Sequence, residues 1–154
     1  MPLTQVEADS LLKMSKEFME EDSLEFSKTQ PMNYDRLLQS LDRREQFLLS
    51  VERGRRKRIR LKYQTRARKV IVLARIELNG PAHWNPPGSP YRPNERLEGT
   101  HVHLYRENFE SRIAFTIEDV PGLVLRDVNN GVLCLEDFLR FCGLNKWPNI
   151  QLTI

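Results

Sequence analysis

The sequence predicts an α+β fold, a curved antiparallel sheet of about five strands flanked by an N-terminal helix and a short C-terminal helix. Three observations predict it. Apolar residues follow a helical period near the N-terminus, they switch to a period of two from residue 46, and they return to a helical period near residue 134. At 154 residues the chain is read as one domain, 1–154, with a helix over about 4–19, a sheet core over about 46–118 and a helix over about 134–142.

The first helix is marked by Thr4 and Glu7, which have the spacing of a capping box, and by an apolar stripe of Leu11, Leu12, Met14, Phe18 and Met19. Residues 20–35 read as a connector with one short strand near Leu24 and Phe26. Residues 34–41 read as a turn or two of helix, or a loop. From Gln46 onward, Phe47, Leu49 and Val51 alternate in a strand that ends at Gly54. Ile59, Leu61 and Tyr63 then alternate with Arg58, Arg60 and Lys62, a half-buried strand with a basic outer face. Residues 70–78 are almost continuously apolar and form a central strand, with Arg75 and Glu77 near its end. Gly80 and Pro81 are expected to stop it. Pro81, Pro86, Pro87, Pro90 and Pro93 make 81–100 a long ordered loop. Residues 101–105 and 113–117 supply two more strands, joined by a hairpin over 106–112. The last helix ends at Gly143, and 149–154 offers an edge strand.

Charge is unevenly distributed. Residues 53–69 hold ten Lys/Arg and no acid, whereas the whole chain carries a net charge of only +3. Such a local stripe suits a polyanion. Its candidate contacts are Arg55, Arg56, Lys57, Arg58, Arg60, Lys62, Arg66, Arg68 and Lys69, with Tyr63, Trp84 and Tyr91 as aromatic platforms for bases. No apolar run is long enough to cross a bilayer, and the N-terminus lacks the pattern of a signal peptide, so a cytoplasmic protein is expected. Cys134 and Cys142 lie about 12 Å apart by helical rise, too far to bridge, and fit reduced core positions.

All three histidines, His83, His101 and His103, fall within or beside two compact motifs. On a strand, His101, His103 and Tyr105 share a face. Three readings fit them. In the first, a metal-independent ribonuclease, two imidazoles act as base and acid near neutral pH, with Arg75, Lys62 or Arg106 stabilising the phosphorane and Tyr105 positioning it or donating to it. In the second, a three-histidine site holds a metal such as Zn²⁺. In the third, a non-catalytic module binds nucleic acid or an acidic protein. No phosphate-binding glycine loop or nucleophile elbow is present, and no cofactor is expected.

The segments RIELNGPAHWNPPG (75–88) and HVHLYRE (101–107), supported by EQFLLSVERG (45–54) and DFLRFC (137–142), resemble an uncharacterised family of small bacterial proteins. Its members carry R-(I/L)-D-x-x-G-P-x-H-x-N-P-D-G and H-x-H-x-Y-R-E. Glu77 stands where that pattern has Asp, and Pro87 replaces the Asp of N-P-D-G. More loosely, the order of basic strand, proline–histidine loop and H-x-H strand is similar to small toxins of toxin–antitoxin pairs. That likeness implies RNA as a target and an acidic antitoxin as a partner.

Overall fold

The computed structural model describes residues 2–20, 23–56 and 60–153. The first helix, α1 (Gln5–Lys13), begins at the expected capping box: the Thr4 hydroxyl accepts from the Glu7 amide at 3.2 Å, and the Glu7 carboxylate accepts from the Thr4 amide at 3.1 Å. It ends well short of residue 19. The apolar stripe continues past Met14, but the chain extends there and enters strand β1 (Lys16–Phe18). The cause is Lys16, whose buried ammonium donates to the carbonyls of Leu12, Met14 and Cys142 at 2.9, 3.0 and 2.7 Å. One side chain thus serves carbonyls left open at the ends of two helices. At the same junction Gly143, at φ +90°, lies so close that a Cβ would overlap the Met14 carbonyl.

The remaining elements are β2 (Leu24–Ser27), β3 (Met32–Ser40), β4 (Gln46–Arg53), β5 (Leu61–Ala67), β6 (Ile71–Trp84), β7 (Arg96–Leu104), β8 (Ala114–Phe115), α2 (Gly131–Phe141) and β9 (Ile150–Thr153). Seven strands form one antiparallel sheet in the order β1-β3-β4-β5-β6-β7-β8, and β2 pairs with β9 in parallel. The α+β class is as expected, with more strands than anticipated and with the sheet starting at residue 16 rather than 46. Residues 34–40 are strand, not helix or loop, and Leu41 opens the turn that follows. Tyr34 pairs with Val51 and Leu38 with Phe47, so tertiary pairing overrides a segment with no clean alternation of its own.

Residues 81–100 are not one long loop: both of their ends are strand. Gly80 and Pro81 do not stop β6. The pairing with β7 skips residues at two irregularities, between Glu77 and Gly80 and between Gly80 and His83, then resumes at His83 with Leu97 and Trp84 with Arg96. Pro81 falls in the skipped stretch, where its missing N–H breaks no ladder bond. The prolines beyond it are confined to the tip between the two strands. Asn85, 2 % exposed, ties that tip down: its amide donates to the Ala114 carbonyl at 3.0 Å and accepts from the Ala114 N–H at 2.8 Å.

One face of the large sheet packs Leu49, Tyr63, Ile76 and Val102 against Leu11 of α1 and Leu135, Phe138 and Leu139 of α2. The other face is polar. Two of its cross-strand rows run Glu52, Lys62, Glu77, His101 and Ser50, Gln64, Arg75, His103. Cys134 and Cys142 are free and buried, and burial pushes their thiols up to about 11 and about 12. Among the described residues, no helix is long and apolar enough to cross a membrane.

Candidate functional site

Antiparallel register creates the site. On β6 the residues of one parity, Arg75 and Glu77, stand opposite His103 and His101 of β7, all on the polar face. β7 lies inside the sheet between β6 and β8, not at its edge, so His101 and His103 are 0 and 1 % exposed. Their ring centroids are 5.1 Å apart. The irregular stretch of β6 swings His83 back over them, with its ring 4.7 Å from that of His103 and edge-on to it.

Backbone carbonyls fix the roles of the imidazole nitrogens. Nδ1 of His101 lies 2.9 Å from the Gly99 carbonyl, and Nδ1 of His103 lies 2.9 Å from the Ser111 carbonyl. A carbonyl only accepts, so each Nδ1 carries the proton, and in a neutral ring Nε2 holds the lone pair. Both Nε2 atoms turn toward Glu77 Oε2, at 2.8 Å from His101 and 3.7 Å from His103. The shorter approach is an ion-pair distance: a proton on Nε2 of His101 would be shared with the carboxylate, and without one the contact carries no hydrogen bond. The other carboxylate oxygen of Glu77 faces Arg75, with Nε at 3.5 Å.

Electrostatics follow from this packing. Burial alone raises the Glu77 carboxyl, but His101, His103 and Arg75 outweigh it and hold the group well below the usual carboxylate range. Burial lowers the pKa of His103, against the opposing pull of Glu77. Gly80 is the residue that lets these groups meet. A Cβ on it would stand 2.8 Å from Cβ of Glu77, 3.3 Å from its Oε2 and 3.4 Å from Cε1 of His101.

The site thus collects His83, His101, His103 and Arg75, and adds Glu77. Tyr105 lies just beyond the end of β7, and its hydroxyl donates instead to the Leu3 carbonyl at 2.7 Å. The ligand-type atoms that converge within 4.8 Å of one another belong to Glu77, His101 and His103, so the set is two imidazoles and a carboxylate rather than three imidazoles. His83 Nε2 donates to the Arg112 carbonyl at 2.7 Å. Glu77 carried a sequence signal of its own: it is two residues from Arg75 on one strand and therefore shares its face.

The basic segment is divided. Lys57 and Arg58 lie outside the described residues. Arg53 is buried on Ser27, and Arg68 and Lys69 form the β5–β6 turn at the far end, where Arg68 pairs with Glu45. Lys62 and Arg66 do stand on the polar face, but Lys62 pairs with Glu52 at 3.2 Å, so the face is mixed in charge rather than wholly basic. Arg55, Arg56 and Arg60, at the start of the segment, make no ion pair among the described residues. Arg60 and Lys62 line a pocket of about 160 Å³ together with Glu52, Glu77, Gly80 and Pro81. Of the aromatic platforms, Tyr63 is fully buried and donates to the Gly131 carbonyl, which excludes base stacking. Tyr91 packs on Phe115 with its hydroxyl on Asp119, whereas Trp84 is 64 % exposed.

The fold and site define an α+β protein with a buried centre of two histidines and a glutamate on the polar face of its sheet. The chain belongs to a family of unknown function, DUF6978, whose model matches residues 3–144. No curated protein and no solved structure matches it.

Proposed function

We propose that the protein binds a phosphate polyanion, RNA in the first instance, at the cationic end of β5. The observation that carries this reading is the pocket where Arg60 and Lys62 meet Glu77, the carboxylate that faces both buried histidines. Arg55, Arg56 and Arg60, which make no ion pair among the described residues, supply the charge, and Trp84 offers an exposed indole on the neighbouring strand. Binding is favoured over acid–base cleavage by His101 and His103 because both rings are buried and their Nδ1 atoms are committed to carbonyls.

The test is the salt dependence of binding to a labelled single-stranded RNA oligomer, followed by fluorescence anisotropy. Replacing Arg55, Arg56 and Arg60 together by alanine removes three phosphate contacts. For a single strand this lowers the slope of log K against log salt by about 2, with the melting temperature unchanged. No binding by the wild type at low salt, or an unchanged slope in the variant, refutes the reading. Retention of an acidic protein in place of RNA points to the alternative partner.

A further inference from the structure

We propose that Glu77, His101 and His103 form a binding site for a divalent transition metal, zinc by donor type, with Nε2 of each histidine and Oε2 of Glu77 as ligands. The proposal is independent of RNA binding and rests on four observations. The first is convergence, since the three donor atoms lie within 4.8 Å of one another. Two ligand atoms on a tetrahedral zinc stand about 3.3 Å apart, given bonds of about 2.05 Å. The separations of Oε2 from the two Nε2 atoms, 2.8 and 3.7 Å, bracket that value.

The second observation is orientation. Metal-bound imidazoles characteristically donate their other N–H to a carbonyl or carboxylate. Gly99 and Ser111 provide those acceptors, both at 2.9 Å, and thereby aim both Nε2 lone pairs at the same carboxylate oxygen. With both rings neutral those lone pairs repel the carboxylate oxygen, and either a proton on Nε2 or a metal ion between the groups turns the contact attractive. The third observation is Nε2 of His101, which belongs to a side chain 1 % exposed and has no hydrogen-bond partner. A buried polar atom in that condition is destabilising, and a metal bond removes the deficit.

The fourth is the division of labour on Glu77. Arg75 faces Oε1, with its Nε at 3.5 Å, and leaves Oε2 free to ligate. Gly80 provides the clearance, because any side chain there would push on both Glu77 and His101. Two histidines and a glutamate match the donor set of zinc sites that keep a further position for water or substrate. The pocket lined by Arg60 and Lys62 also includes Glu77 in its wall. Zinc with one carboxylate keeps a net positive charge, so a cationic surround suits an anionic occupant of that further position.

The experiment uses tag-free, full-length protein stripped with a chelator. Zinc is titrated by calorimetry, and Co²⁺ by the visible absorption of a four-coordinate ion. The expected result is one ion per chain, a rise in melting temperature on binding, and a loss of affinity exceeding about 100-fold in Glu77→Gln, more than the loss of a group that only orients a ligand would cause. His83→Ala is expected to bind as the wild type does. If His103→Asn does not fold, the nearly isosteric Glu77→Gln still decides. Absence of saturable binding, or unchanged affinity in Glu77→Gln, overturns the proposal. A loss in His83→Ala equal to that in Glu77→Gln overturns the donor set. The variant lacking Arg55, Arg56 and Arg60 is expected to keep its metal affinity, so failure of the RNA reading and failure of this one are distinguishable.

Discussion

Replacing Lys16 by methionine keeps most of the apolar stem and removes the ammonium at the junction of the two helices. Lys16 is 3 % exposed, and its Nζ also sits 4.5 Å from the centroid of the Phe47 ring. Three charged hydrogen bonds to carbonyls are worth roughly 1.5–3 kcal/mol each, about 4.5–9 kcal/mol in all. Against this stands desolvation, which lowers the ammonium from 10.5 to about 8 and, at about 1.36 kcal/mol per unit, amounts to roughly 3 kcal/mol. The net expectation is a destabilisation of about 3 kcal/mol, or a melting temperature lower by about 6–12 °C for a chain of this size. Urea unfolding at neutral pH measures it. A Lys16→Met protein as stable as the wild type would refute the claim that these bonds terminate α1 where it ends. The sign of the pH dependence follows as well. A base whose folded pKa is depressed is protonated more often in the unfolded chain between about pH 8 and 10.5. This group's contribution to stability therefore rises with pH across that window in the wild type and is absent from Lys16→Met.

Two further substitutions probe the frame around the site. Asn85→Ala orphans the Ala114 N–H and C=O in the interior and is expected to lower stability by about 2–4 kcal/mol, measured by denaturant titration. Gly131→Ala, at the first position of α2, is expected to destabilise by about 1–3 kcal/mol despite the better helix propensity of alanine. The added Cβ would meet Leu61 and Phe26 side-chain carbons at 2.7 Å, and a thermal melt that rises instead would contradict the packing there.

Much of this was legible in the chain, for physical reasons. The capping box, the alternation from Phe47 and the shared face of His101 and His103 are local patterns, and local patterns survive into the fold. Strand β3 was not legible because its residues mix polar and apolar types on both faces, and only pairing with β1 and β4 decides its conformation. β6 ran past Pro81 because a proline in an unpaired irregularity does not break a ladder, a property of register rather than of composition. The Lys16 contact joins residues more than 120 positions apart and leaves no local trace. At the site, the histidines announced themselves, whereas Glu77 looked like a substitution in a motif. Its partnership with His101 and His103 depends on the neighbouring strand's register. The run of basic residues was evident, but the acids opposite Lys62 came from β4 and β6.

The measurement that bears most directly on the site is the imidazole nitrogen NMR spectrum of the three histidines, recorded while single-stranded RNA is added. His101 and His103 are both expected to carry Nδ1 protons, held by the Gly99 and Ser111 carbonyls. Their signals are expected to move along the same binding curve as Arg60, across the pocket whose wall holds both Arg60 and Glu77. A spectrum with unprotonated Nδ1 in either ring, or RNA binding that leaves both histidines unmoved, would contradict the coupling of the pocket to the histidines.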